Sequence, residues 1–323
     1  MPPAQTTQTP CPACGSHHGM PLAHNDGKTG EPLTVMQCAG CGLGRVDPMP
    51  TAEELAAWYS KKYRQDYKAS VTPRLTHVLR AGRLARDRWR WAQQQLPHLR
   101  PKRSLDVGAS SGEFVYLLQS QGVQAMGLEP HEGYSSYARS TLGLDMVTGA
   151  LQDRLAELPR GSYDLVSMFH VLEHLTDPIA SLRALGQLLN PEGVLLIEVP
   201  NVARLSSPKN TFFKAHTLYF SPHSLRDVAR AAGLKIVASD FSSTSNLLVL
   251  LQPCGEAATG HWQPDNSLLQ AQADRSWPKY LMNRIASGYL FQRLRHRRNE
   301  KDTAAAFRSA KELLDGVYSG QVS

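Results

Sequence analysis

Apolar positions fall along this chain in short runs separated by glycine turns and polar stretches, and the middle of the chain carries the clearest of them. Ser104-Leu105-Asp106-Val107 reads as a strand that enters a glycine turn, Gly108 to Gly112, and then a helical segment, Phe114-Val115-Tyr116-Leu117-Leu118. The next apolar run, Val123 to Leu128, ends on an acid, Glu129. Further strands are predicted at Leu165 to Phe169, at Gly193 to Asn201 and near Leu247 to Leu251, with helices opening at Thr176-Asp177-Pro178 and spanning Ser224 to Ala232. Upstream, Arg74 to Leu96 reads as a basic helix whose apolar side includes Val78, Leu79, Ala85, Trp89 and Ala92, ended by Pro97 and Pro101. Before it, Thr51-Ala52-Glu53-Glu54 is a helix start with a capping box, and Tyr59, Tyr63 and Tyr67 recur at helical spacing. Past about residue 261, Leu281, Ile285, Leu290, Leu294 and Phe307 suggest amphipathic helices interrupted at Gly288.

Strand, glycine turn, helix, strand and terminal acid, in that order, build a nucleoside crevice at the carboxyl ends of a parallel sheet. A carboxylate such as Glu129 can accept hydrogen bonds from both ribose hydroxyls. A dinucleotide fingerprint beginning at Gly108 needs glycines at 110 and 113, where the chain has Ser110 and Glu113. Glu113 places negative charge where a helix N-terminus otherwise welcomes an anion, and Asp106 adds a second acid. A cationic ligand suits this crevice better than a diphosphate, and S-adenosylmethionine, with its sulfonium and ammonium groups, meets that requirement.

Cysteine spacing supplies a second signal. Cys11-Pro12-Ala13-Cys14-Gly15 and Cys38-Ala39-Gly40-Cys41-Gly42 each set two thiolates on one tight turn, and the pairs together suit a tetrahedral structural zinc. The following glycines let backbone N–H groups turn toward the sulfurs. Four thiolates fill such a site, so His17, His18 and His24 are expected at the surface, and Cys254 is expected to be a small buried hydrophobe. The loop from Ser16 to Gln37 has Lys28 as its one basic residue and no aromatic, which argues against nucleic acid and for a structural cap.

On these residues the chain resembles the class I S-adenosylmethionine-dependent methyltransferases. Asp106-x-Gly108-x-x-x-Gly112 is similar to their glycine loop and Glu129 to their ribose-binding acid; Tyr163 to Leu175 and Gly193 to Asn201 are similar to their fourth and fifth strands. The resemblance covers roughly residues 100 to 252. It implies an α/β fold, a doubly wound and mostly parallel seven-stranded Rossmann-like sheet, here with an N-terminal zinc ribbon and a helical C-terminal tail. It implies cofactor contacts from Asp106, Gly108, Gly112, Glu129, Leu151 and His170. The division expected is residues 1–47 for the ribbon, 48–99 for a helical linker or lid, 100–256 for the cofactor domain and 257–323 for a basic tail. In similar methyltransferases the segment with the tyrosines forms a lid.

His170-Val171-Leu172-Glu173-His174 also reads as H-x-x-E-H, the pattern of inverted zinc peptidases. Its position directly after a strand, with a new helix starting almost at once, argues instead for a turn beside the cofactor. The stretch Phe212 to Pro222 resembles the corresponding part of bacterial sugar methyltransferases that begin with a zinc ribbon. In those acting at carbon on nucleotide-linked keto-sugars, a tyrosine, a glutamate and a histidine handle the proton. His216 matches the histidine, but Phe213 and Ala215 stand at the other two positions and the long C-terminal domain is missing.

The expected reaction is therefore methylation of a small-molecule acceptor, a hydroxyl of a sugar or glycan intermediate first among them, with His216 as base and His174 in reserve. Lys209 and Lys214 are candidates to steer an anionic acceptor such as a nucleotide sugar. An RNA methyltransferase, a carbon methyltransferase and an inactive zinc-dependent binding module are the alternatives. Composition is that of a globular protein, with 20% charged and 41% hydrophobic residues in 323. With no signal-like start and no membrane-length apolar run, a cytoplasmic location is expected. The net charge of +7 permits an anionic partner. The basic run Arg293 to Arg298 has three readings: a solvated helix face, a grip on an anionic substrate or lipid headgroup, or a homodimer arm.

Overall fold

Alternating and continuous apolar runs resolve into two sheets and ten helices among the residues described by the computed structural model, which are 3–51, 53–55, 72–204, 207, 211–242, 245–255, 262–286 and 289–322. The N-terminal part supplies β1 (Gln5–Thr6), β2 (His18–Asn25), β3 (Pro32–Cys38) and β4 (Gly44–Val46). Helix α1 (Leu75–Gln95) leads into β5 (Arg103–Val107), α2 (Glu113–Ser120), β6 (Gln124–Glu129), α3 (Glu132–Tyr137), β7 (Asp145–Thr148), α4 (Leu151–Arg154) and β8 (Tyr163–Phe169). Then come α5 (Pro178–Leu188), β9 (Leu189–Pro200), β10 (Leu218–Tyr219), α6 (Pro222–Ala231), β11 (Leu234–Asp240) and β12 (Asn246–Pro253). The chain ends in α7 (Ser267–Asp274), α8 (Trp277–Ala286), α9 (Tyr289–Ala305) and α10 (Ala310–Tyr318).

The larger sheet has seven strands in the order β11-β12-β9-β8-β5-β6-β7. Its pairs β5–β6, β5–β8 and β6–β7 are parallel, and β11–β12 is antiparallel. This is the expected doubly wound, Rossmann-like arrangement. Strands covered on both faces read as continuous apolar runs, and Leu105, Val107, Leu128, Leu165, Val166 and Met168 are all buried. The second sheet has five strands, β1-β2-β3-β4-β10, and three of its pairs are formed within the N-terminal region.

The chain divides into two interleaved compact units, one of Met1–Tyr63, Phe169–Gln187 and Ile197–Asn283, the other of Arg64–Met168, Leu188–Leu196 and Arg284–Ser323. The first holds the five-stranded sheet, whose apolar cluster joins Leu22, Val35, Val46, Phe212, Tyr219 and Leu268. In the second, the end of the tail packs on the helices beside the glycine loop. A Cβ on Gly82 of α1 would stand 2.6 Å from Leu314 of α10, so this crossing needs glycine. Tyr116 of α2 donates to Asp315 at 2.5 Å, and Tyr318 donates to the Glu113 carbonyl at 2.7 Å.

Local differences from the sequence reading have physical causes. Helix α6 begins at Pro222 rather than Ser224, because Ser221 is its N-cap and shares a capping box with Ser224. The Thr51 and Glu54 side chains exchange the expected capping hydrogen bonds with each other's backbone N–H groups. His17, His18 and His24 are exposed as expected, and so, against expectation, is Cys254 just beyond β12. Tyr59, Tyr63, Tyr67, Lys209 and Gly288 lie outside the described residues.

Candidate active site

In the second unit, β5 and β6 run parallel and in register, Asp106 beside Gly127 and Val107 beside Leu128, so their carboxyl ends open together. The chain leaves β5 through Gly108 at φ 76°, Ser110 at φ 51° and Gly112 at φ 88°. Gly112 is required twice: by its left-handed backbone, and because a Cβ there would stand 2.4 Å from Leu144. Ser110 is a non-glycine residue held left-handed, and its N–H donates to Glu129 Oε2 at 2.9 Å. The other oxygen of Glu129 accepts from the His131 N–H at 2.9 Å. The carboxylate that ends β6 is thus buried and aimed by two backbone donors before any ligand arrives. Gly149 N–H bonds the Glu129 carbonyl, which brings the end of β7, and Leu151 at the start of α4, to the same edge.

Asp106 is buried within β5 and accepts from Ser167 of β8 at 2.6 Å. Burial pushes its carboxyl up to about 7, against the hydrogen bond from Ser167, with Glu113 and Glu129 adding repulsion. Glu113 opens α2 and accepts from Ser111 at 2.7 Å, so an acid occupies the end of the helix where a phosphate binds in dinucleotide folds.

In the first unit, His170 to His174 form a tight turn, with a 3₁₀ segment at Leu172–His174, rather than the helix a zinc peptidase needs. His170 is left-handed at φ 56°, and its ring lies between Glu173 Oε1 at 3.3 Å and Glu198 Oε1 at 3.0 Å. Burial works against a charged ring here, yet hydrogen bonds to Glu173 and Glu198 outweigh it and hold the imidazole up to about 9. Glu173 is buried; burial would raise it, but His170 and the neighbouring histidines pull it down to about 2. Glu198 came unannounced from the sequence; an acid inside the buried run Val194 to Val199 was the signal available.

The loop with His216 returns to this turn. Thr217 donates its N–H to the Glu173 carbonyl at 2.9 Å and its hydroxyl to the Leu175 carbonyl at 2.7 Å. His174 Nδ1 lies 2.6 Å from the Ala215 carbonyl, so Nδ1 carries a proton and donates it there. The His174 and His216 rings meet edge to face at 4.8 Å, and His216 Nε2 is 3.9 Å from Glu173 Oε1. Burial, and then the charge of His174, push His216 down to about 3. Ligand atoms of Glu173, His174 and His216 lie within 4.8 Å of one another, and Glu173 Oε2 is buried without a hydrogen-bond partner.

The N-terminal sheet reaches the same loop. At the β2–β3 turn, Asp26 accepts from Lys28 and Thr29 through Oδ1 and from the Lys214 N–H through Oδ2. Gly27 donates to the Phe212 carbonyl, and the Lys28 ammonium sits 3.4 Å above the Phe213 ring. Strand β10 then pairs Leu218 with Arg45 and Tyr219 with Gly44 of β4. Cys11, Cys14, Cys38 and Cys41 gather at the base of this sheet, with Cys11–Cys41 and Cys14–Cys38 sulfurs 3.6 and 3.4 Å apart. All four sulfurs lie within 4.8 Å of one another. Cys14 is pushed down to about 7 and Cys38 lower still, each first by hydrogen bonding to Cys11.

Residues 79–239 match the sequence profile of a family described as a methyltransferase domain. The ubiquinone biosynthesis O-methyltransferase of Bordetella pertussis is 27% identical over 166 residues, which are 45% of this chain and 67% of that protein. Its namesake in Xanthomonas campestris pv. campestris is 33% identical over 104 residues, 31% of this chain and 43% of the relative. A tRNA U34 carboxymethyltransferase of Desulfotalea psychrophila is 26% identical over 144 residues, 42% of this chain and 45% of that protein. Among solved structures, a SAM-dependent methyltransferase from Aquifex aeolicus aligns with a TM-score of 0.44 at 16% identity, covering 56% of this chain and 98% of that one. The segment from α1 through β11 is a class I S-adenosylmethionine-dependent methyltransferase domain.

Proposed function

We propose that this methyltransferase domain carries a methyl group from S-adenosylmethionine to an oxygen of a small-molecule acceptor, a hydroxyl of a sugar or glycan intermediate being the acceptor class we favour. The observation that carries this reading is the cluster of Glu173 and His174, on the turn that follows β8 in the chain, with His216 from the loop before β10. Ligands of open α/β sheets bind outside the carboxyl ends of the strands. The Bordetella and Xanthomonas relatives are both named O-methyltransferases, which supports oxygen as the acceptor atom.

The residues of the crevice fit the cofactor. Glu129 is aimed by two N–H groups and keeps lone pairs for ribose hydroxyls, while Glu113 sets an acid at the start of α2 beside the glycine loop. When bound, the cofactor supplies an electrophilic methyl group on a sulfonium. We assign Gly108 and Gly112 to the close approach of backbone, Leu151 to an apolar wall and His170 to holding Glu173 and Glu198 in place.

At the acceptor, a base that takes the hydroxyl proton is worth about two to four powers of ten. His174 is better suited than His216. Its Nδ1 proton is committed to Ala215, which leaves Nε2 as a base, whereas a ring held near 3 binds protons weakly. His216 then packs against the Phe213 ring, 4.1 Å away between ring centres. A second reading is favoured by the unpartnered Glu173 Oε2: a divalent cation on Glu173, His174 and His216 that draws down the pKa of the acceptor hydroxyl.

The four cysteines fit structural zinc. A tetrahedral ion with bonds of ~2.3 Å sets sulfurs ~3.8 Å apart, close to the spacing found. We assign residues 1–47 to a zinc ribbon that braces the acceptor loop through β10 and the Asp26 turn. The experiment that tests the function is transfer of labelled methyl groups to a panel of hydroxylated sugars, nucleotide sugars, phenols and tRNA, comparing wild type with His174→Asn. Label on an oxygen of a small molecule, lost in the variant, supports the reading. Label only on RNA or on carbon would replace it.

A further inference from the structure

The tail contains a segment that neither the methyl-transfer chemistry nor the ribbon uses. Between Asp274 and Glu300 the chain has no acidic residue, and it carries Lys279, Arg284, Arg293, Arg295, Arg297 and Arg298. Helix α8 opens this segment with Trp277, Leu281, Met282 and Ile285, whose exposures are 47, 51, 66 and 72%. These are four of the five large apolar side chains most exposed among the described residues. Spacing of four along a helix puts Trp277, Leu281 and Ile285 on one stripe, with Met282 beside it. Ordinary surface helices show the reverse pattern, with the apolar stripe turned inward.

We propose that α8 and the basic segment after it dock the protein on an anionic lipid surface. An amphipathic helix rich in Leu, Met and Trp, with Lys and Arg as its only charges, is the composition that settles into a bilayer interface. Trp277 and Tyr280 have the amphipathic rings that favour the headgroup level. Ten residues of helix are too short to cross, and no helix among the described residues is long and apolar enough to do so, so the mode is peripheral. Apolar insertion alone is weak, and anchoring needs a second signal. The exposed Arg295, Arg297 and Arg298 supply it by attraction to anionic headgroups. Charge also selects among occupants. A second copy on this face would bring like-charged segments together, and RNA has no use for exposed Leu281, Met282 and Ile285.

Vesicle co-sedimentation with the zinc-loaded full chain tests this, using phosphatidylcholine alone and mixed equally with phosphatidylglycerol. Binding is expected to be at least ~10-fold tighter to the anionic vesicles and to fall in ~0.5 M salt. Two variants, Leu281→Asp with Ile285→Asp, and Arg295→Gln with Arg297→Gln and Arg298→Gln, are each expected to lose about 10-fold in vesicle affinity while keeping wild-type S-adenosylmethionine binding. If the first variant misfolds, the arginine variant and the salt dependence carry the test. Equal binding to both vesicle types, or none, overturns the proposal. So does a dimer in light scattering that Leu281→Asp with Ile285→Asp dissolves, or RNA binding that needs the arginines while vesicle binding does not.

Discussion

Three imidazoles gather around one buried carboxylate, Glu173, and their protonation follows from where each ring nitrogen points. His170, braced by two glutamates, is cationic at neutral pH; His216, buried and next to His174, is neutral. The signs have opposite consequences for stability. His216 rises from about 3 to 6.5 on unfolding, so its contribution is complete above pH 6.5 and is lost as pH falls toward 3. His170 falls from about 9 to 6.5, so its contribution is complete below pH 6.5 and is lost as pH rises through 9. Urea titrations at several pH values are expected to show His216→Asn flattening the acid limb, with at most about 1.4 kcal/mol per pH unit removed. At the same turn, His174→Asn is expected to lower kcat by about 10²–10⁴ with cofactor affinity unchanged. A fall in affinity with kcat intact would move His174 out of the chemistry.

Elements show how far the chain could be read unaided. Strands β5, β6 and β8 were legible because burial on both faces leaves continuous apolar runs, and the acid that ends β6 is visible by position alone. The capping box at Thr51 was legible for the same local reason. Strand β10 was not: two residues carry no periodicity, and Leu218 and Tyr219 are strand only because β4 pairs with them. Nor was the tie from Asp26 to Lys214, which spans most of the chain and rests on one carboxylate. The exposure of Cys254 was not legible, because composition says what cysteine usually does, while exposure just past β12 depends on tertiary packing. The tail is the largest case, since the polar spacing of α10 hides a helix buried at Leu313, Leu314 and Val317. Leu314→Ala is expected to cost about 2–5 kcal/mol in urea unfolding, and Tyr318→Phe about 1 kcal/mol. A loss below about 0.5 kcal/mol for Leu314→Ala would mean that α10 is not part of the core.

At the scale of the whole molecule, a methyltransferase fold is joined to a five-stranded sheet whose last strand, β10, follows His216 in the chain. Within the first unit, the Asp26 turn and β4 hold residues 212–219: Gly27 donates to Phe212, Asp26 accepts from Lys214, and β4 pairs with β10. Chelation of zinc, or Cys38→Ser, is accordingly expected to abolish methyl transfer while leaving a chain that still binds S-adenosylmethionine through the other unit. Loss of both together would show the ribbon to be needed for folding as a whole. The crevice at the ends of β5 and β6 is proposed as a cofactor site built around Glu129. Calorimetric titration with S-adenosylmethionine and S-adenosylhomocysteine, beside Glu129→Ala, tests it most directly. Micromolar binding of both is expected, weakened about 10–100-fold by the substitution as its charge-assisted hydrogen bonds are lost. Binding that ignores Glu129→Ala, or no binding by folded, zinc-loaded protein, would contradict it.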